Sequence, residues 1–211
     1  SISAKWKSAG AAACAACLAA LLLSGCASAS PSEVVSSTLD AVKGQDTETL
    51  AKYYTGDSSE ISGGGLSELT GEFVSVDNMT EAEKAAYDKL VAKMLDFDYT
   101  IEDERVEGDS ADVEVSFASY DIGSAFVQSF SSYLGGAVAM AASGASSDDI
   151  TDGFYRQLSS DLDGLSDKTR TETATITLTK QDGQWKVDSL SEGAIDAVSG
   201  GLYTAVEQLG S

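Results

Sequence analysis

The sequence predicts an α+β domain: a curved antiparallel sheet made of two hairpins, packed on N-terminal helices and carrying an inserted helical pair and a C-terminal helix. Three observations lead there. Residues 97–120 and 171–188 alternate apolar and polar side chains on either side of Gly-centred turns, as half-buried hairpins do. Segments at 31–44, 80–95, 122–165 and 189–209 space their apolar residues three and four apart, as amphipathic helices do. The two hairpins are separated by the helical stretch 122–165, which makes that stretch an insertion.

The chain starts with Lys5 and Lys7, an uncharged Ala/Leu-rich run from Ser8 to Leu23, and then Leu23-Ser24-Gly25-Cys26. A basic n-region, an apolar core of roughly 7–15 residues and small residues at the cut make a signal peptide. The cysteine directly after the cut makes it a lipoprotein signal. Residues 1–25 are expected to leave and Cys26 to carry a diacylglyceryl group, whose two chains suffice for stable anchoring. A plain secretory signal or an Ala-rich N-terminal helix are the alternatives, but a packed helix would show a polar face and this run has none. Residues 26–30 then form a short tether, and 31–211 one domain. The expected location is the extracytoplasmic face of the cell membrane, held there by lipid. Cys14 and Cys17 leave with the signal, so the exported domain has no thiol for a disulfide.

Within the domain, Ser30-Pro31-Ser32-Glu33 reads as an N-cap, a proline at the first helical position and a capping box. Val34, Val35, Thr38, Leu39 and Val42 follow at helical spacing, and Gly44 ends the helix. Asp46 caps a second helix that turns Leu50, Tyr53 and Tyr54 inward. Residues 56–78, with Gly63-Gly64-Gly65, read as a loop with a short strand near Glu72–Val76. Thr80 caps the next helix, with Tyr87, Leu90, Val91, Met94 and Leu95 on one side. The first hairpin turns at Glu107-Gly108-Asp109. From Ile122 to Ser147 no residue is charged, but its many serines and Gln128 are too polar for a lone membrane span. It reads as a helix of about 20 residues with Phe126, Val127, Phe130, Leu134 and Val138 as its apolar stripe. Ser146 caps its partner, whose inner face is Ile150, Phe154, Leu158, Leu162 and Leu165. The second hairpin turns at Gln181-Asp182-Gly183. Ser189 is expected to cap one last helix bearing Ile195, Val198, Leu202, Val206 and Leu209.

Composition narrows the chemistry. Thirty-four acidic against 13 basic residues give a net charge of −21, which argues against nucleic acid and against docking on anionic lipid heads. There is no histidine, so Ser-His-Asp and Cys-His catalysis and histidine metal sites are excluded. No Walker, Gly-x-Ser-x-Gly or Ser-x-x-Lys pattern occurs, and no cofactor is called for. The hairpin acids Glu102, Asp103, Glu104, Glu107, Asp109, Asp112 and Glu114 could hold Ca²⁺ or simply face water. Asp161-x-Asp163-Gly164 and Asp148-Asp149-x-x-Asp152 lack the closing Glu of a calcium loop.

Three stretches, Pro31 to Asp46, Gly108 to Val115 and Thr179 to Asp188, resemble Gram-positive lipoproteins of unknown function. Those lipoproteins belong to the cystatin-like superfamily of nuclear-transport-factor-2-like cones, in the lumazine-binding-like group. The resemblance implies a cone whose sheet and helices enclose an aromatic-lined space, to which the helices at 122–165 and the C-terminus are additions. Tyr53, Tyr54, Phe97, Tyr99, Phe117, Phe126, Phe130 and Trp185 are the candidates for that lining, or are plain core. The expected role is non-catalytic binding of a small apolar or amphipathic ligand or of another envelope protein. Two alternatives stay open: an acid–base enzyme using a carboxylate or tyrosine in the cone, and a structural or regulatory envelope module whose 122–142 stripe packs on a partner.

Overall fold

The computed structural model describes residues 28–55 and 78–211. The signal segment, Cys26, the Gly63-Gly64-Gly65 loop and the strand expected near 72–76 lie outside the described residues.

Helix α1 (Pro31–Gly44) starts as its sequence dictates: the Ser30 hydroxyl accepts from Glu33 N, and the Glu33 carboxylate accepts from Ser30 N. Gly44 is still helical, and Gln45 takes the left-handed conformation at φ 52° that closes the helix. Asp46 caps α2 (Thr47–Tyr53), and Thr80 caps α3 (Glu81–Leu95). Strands β1 (Asp98–Glu107) and β2 (Ser110–Ser119) form the first hairpin. The insertion is α4 (Ile122–Ala142) and α5 (Ser147–Asp163), capped by Asp121 and Ser146. Strands β3 (Arg170–Gln181) and β4 (Gln184–Val187) complete a four-stranded open sheet in the order β1-β2-β3-β4, antiparallel throughout. The short edge strand β4 is covered at one point by Tyr54 and Thr55, whose N–H groups and bridge reach Leu50 and Val187.

The single helix expected at the C-terminus is two. Helix α6 (Glu192–Val198) is capped by Ser191, not Ser189, and α7 (Leu202–Gly210) begins after a break. Gly200 and Gly201 sit at φ 62° and 82°, a conformation that costs glycine little and other residues more. The break sends the two halves to different cores. Ala194 and Ala197 of α6 pack on the sheet, and Leu202 of α7 packs among helices.

Those two cores divide the fold. In the first, Val34, Val35, Leu39 and Val42 of α1 lie on the inner sheet face, against Val113, Val115, Phe117, Ile176, Leu178 and Val187. In the second, α3, α4, α5 and α7 form a helical group around Leu90, Ile122, Phe126, Phe154, Leu158, Leu162 and Leu202. The helical group joins the sheet at one end, where β1 starts, β2 stops and β3 starts. Both hairpin turns lie at the other end, tied together by Lys180 N donating to Asp109 O at 2.8 Å.

A bulge at Glu102 shifts the register of β1 between Ile101 and Asp103. Ahead of it, Tyr99 and Ile101 stand opposite the inward Phe117 and Val115; beyond it, Glu104 and Val106 stand opposite the inward Val113 and Ala111. The extra residue therefore turns Glu104 toward α1. There its carboxylate accepts from Ser32 N at 2.8 Å and from the Ser32 hydroxyl. A negative charge from the sheet thus meets the positive end of α1, beyond that helix's own cap.

Candidate functional site

The eight aromatic residues expected to line one space fall into two groups. Phe97, Phe117, Tyr54 and Trp185 are buried in the sheet core, with Tyr53 and Tyr99 half-buried at its margin. Phe126 and Phe130 belong to the helical core, where they meet the ring of Phe154 edge-on at 5.9 and 6.3 Å. Phe97 and Phe117 make the same kind of contact at 5.9 Å beneath α1. The Tyr99 hydroxyl is occupied: it donates to Asp40 Oδ1 at 2.7 Å and lies 3.2 Å from Ser36 O. Burial, and then Asp40, push its pKa up.

Among the described residues three hollows lie in different places. A cleft of about 130 Å³ opens where the described chain begins, between Ala29, Lys52, Tyr53, Gln184 and Trp185. Tyr53 and Trp185 are the two expected lining residues that meet there. A wider groove of about 430 Å³ runs between the first turns of α4 and α7, past Ser124, Gln128, Thr204 and Gln208, with Arg170 at its base. The third, about 110 Å³, lies on the outer sheet face between Asp103, Arg105, Asp112 and Glu114. The hairpin acids are thus split by the bulge: Glu104 goes to α1, while Arg105 pairs with Asp103 at 3.2 Å and Asp112 accepts from Thr177 at 2.9 Å. Among the described residues no three acidic side chains converge to hold a metal ion.

Arg170 forms the junction of the two cores. It pairs with Glu172, and its Nη2 lies 2.8 Å from Asp196 Oδ2. Asp196 is buried, and its other oxygen accepts from Thr204 N at 2.9 Å, across the α6–α7 break. Burial opposes ionisation of Asp196, but the Thr204 N–H and Arg170 outweigh it and hold its pKa below the usual carboxylate range. Packing here is tight: a Cβ on Gly123 would come within 2.4 Å of Gly201 O, and one on Gly201 within 2.8 Å of Arg170 Nε. On the other flank Lys168 lies 2.9 Å from Asp96 and 3.1 Å from Asp98, and the Tyr120 hydroxyl donates to Asp96 at 3.0 Å. Lys168, then Tyr120, hold Asp96 below its ordinary pKa. This junction was not singled out in the sequence. A signal was present: Arg170 and Glu172 are in phase with the inward Ala174, Ile176 and Leu178, so two charges occupy inward positions of β3.

Among the described residues the second half of α4 carries the most exposed large apolar side chains. Its buried residues, Ile122, Gly123, Ala125, Phe126 and Ser129, all lie in the first half. Leu134 is 53% exposed and Val138 76%, and no charged residue lies among residues 122–147. Among the described residues no helix is long and apolar enough to cross a membrane.

No family model matches this chain, and no curated protein matches it. Among solved structures it is similar to ycdA of Bacillus subtilis, a protein assigned as a lipoprotein, with a TM-score of 0.52 at 17% identity. The likeness covers 79% of this chain and 54% of the other, so the chain spans about half the length of that protein, and what the two share is the fold.

Proposed function

We propose that this chain is a lipid-anchored protein of the extracytoplasmic membrane face whose domain is a non-catalytic module for binding another envelope protein. The anchor is Cys26, placed after a charged n-region and an apolar run; the assignment of the Bacillus neighbour as a lipoprotein supports it. The sheet with α1 across its inner face fits the cystatin-like cone that the sequence resemblance implies. Partner binding rests on one observation above all: in a chain of net charge −21, the outer half of α4 is uncharged, apolar and exposed at Leu134 and Val138. The interior supports a protein over an apolar small molecule, because among the described residues Phe97, Phe117 and the valines of α1 and β2 are buried against one another under α1. Among the described residues the carboxylates with shifted pKa values, Asp46, Asp96 and Asp196, are all held low by their hydrogen-bond partners, which does not favour them as proton donors.

The groove over Arg170 supports a second reading. Its size is that of ligand pockets, which run about 300–1,000 Å³, and its polar rim would suit an amphipathic molecule. The test for the leading reading is photo-crosslinking in the native host, with the reactive side chain placed at Val138 and, as control, at Val106, a residue 50% exposed on the edge strand. A discrete protein adduct at Val138 alone is expected. Equal adducts at both positions, or lipid alone at Val138, would sink it. An intact mass for a chain that begins at Cys26 and carries a diacylglyceryl group checks the anchor separately.

A further inference from the structure

We infer that the end of the domain bearing Lys52, Lys180 and Lys186 is its membrane-facing footprint, where lysines receive the phosphates of anionic phospholipid headgroups. The inference rests on the lipidation of Cys26 proposed above, and adds which surface meets the bilayer.

The first support is the length of free chain. Only Ala27 separates Cys26 from Ser28, and Ser28 and Ala29 already line the cleft with Lys52, Tyr53, Gln184 and Trp185. Ala29 packs on the sheet core. At roughly 3.3–3.6 Å per residue, the Cys26 backbone stands within about 7 Å of Ser28. A lipid on that cysteine cannot hold the domain at a distance, so the surface around the cleft must lie at the headgroups.

The second support is charge. Elsewhere among the described residues the cations are used. Lys84, Lys89, Arg105, Arg156, Lys168 and Arg170 each have a carboxylate within 4 Å, and Lys43 and Lys93 donate to the carbonyls of Phe97 and Leu165. Among the described residues Lys52, Lys180 and Lys186 have no carboxylate partner, although acids outnumber bases 34 to 13 in the chain. Lys52 and Lys180 instead stand over the rings of Tyr53 and Trp185, at 5.0 and 5.5 Å. The ammonium groups of Lys52 and Lys180 thus rest over aromatic rings and face no carboxylate, and Lys beside Tyr and Trp is the composition found at a bilayer interface. The acidic tip Glu107–Asp109 lies at the same end, bonded to Lys180 N through Asp109 O, so the face turned to lipid is the β4 and α2 side of that end, where the three lysines stand.

The chain supplies its own probe. Of its two tryptophans Trp6 lies in the signal segment, which leaves Trp185 as the reporter after processing. The lipidated protein, its anchor mass confirmed, is placed in vesicles of phosphatidylcholine alone or mixed with phosphatidylglycerol, each containing lipids brominated near the headgroup. Quenching of Trp185 is expected to be about twofold stronger with phosphatidylglycerol, to weaken with added salt, and to fall to the phosphatidylcholine level in a Lys52→Glu/Lys180→Glu variant. Lys52 is exposed and Lys180 half-buried, and an unchanged urea midpoint for the variant confirms its fold. A lipidated protein whose Trp185 is quenched equally in both vesicle types, with or without the lysines, overturns the footprint and leaves the anchor standing. A protein without lipid on Cys26 overturns both.

Discussion

In the sheet core every inward position of β2 from Ala111 to Phe117 is at most 2% exposed, whereas α4 in the helical core is buried only over its first half. The strand buries each second residue along its length, because α1 covers one face and the polar face is left to water. A helix of 21 residues is about 32 Å long, more than α3, α5 and α7 cover. The two cores therefore serve different ends. One is sealed and holds the fold, while the other extends past its own packing and offers surface.

The sharpest way to break this contrast is to cut a ring from each core. Phe117→Ala is expected to lose about 3–5 kcal/mol in urea unfolding. Phe130→Ala, half-buried on α4, is expected to lose less than half of that. Equal losses would mean that the helical core is as tightly sealed as the sheet.

Within α4 the same substitution should change sign. Gly123→Ala drives a Cβ onto Gly201 O and is expected to cost about 1–3 kcal/mol. Gly135→Ala meets nothing within 4 Å and should gain up to about 1 kcal/mol from helix propensity, read as a higher Tm.

Asp196→Asn tests the seam between the cores. It removes a charged hydrogen bond to Arg170 and is expected to cost about 1.5 kcal/mol, the low end for such bonds, because Glu172 remains and the Arg170 side chain is 24% exposed. The folded-state pKa of Asp196 lies below its unfolded value of about 3.9, so its stabilisation is complete above that value and is lost as pH falls through the folded pKa. Unfolding free energy measured from pH 6 downward should therefore drop less in Asp196→Asn than in the parent. The smallest effect belongs to the outer half of α4: Leu134→Lys is expected to change stability by less than about 0.5 kcal/mol while removing the crosslink made from position 138.

Much of the fold was legible because it depends on local rules. Ser30, Asp46, Thr80 and Ser146 cap the helices their positions announced, and the alternation around Gly108 and Gly183 gives both hairpins. What was not legible depends on contacts between distant residues. Ile195 to Leu209 keeps a helical stripe, yet the Gly200–Gly201 break divides it, because Asp196 must reach both Arg170 and Thr204 N. The bulge leaves no trace in a run of acids, since Glu102, Asp103 and Glu104 read alike until one of them meets Ser32. The aromatic residues were identifiable as inward-facing, but their division between two cores follows from where the insertion docks, which no spacing records.

The insertion also sets an order in time. The central ladder joins β2 to β3 across residues 120–169, and closing so long a loop early carries an entropy cost that grows with its length. Helices α4 and α5 are joined by a short turn and can pair from local contacts alone; once paired, they bring Tyr120 and Lys168 to the same aspartate. The expected sequence of events is helical pair first and central strands second, so a pair whose outer half ends exposed folds before the sheet it interrupts. Stopped-flow folding would show it as slower refolding for variants in the α4–α5 pair and faster unfolding for variants in β3, and the reverse pattern would rule it out.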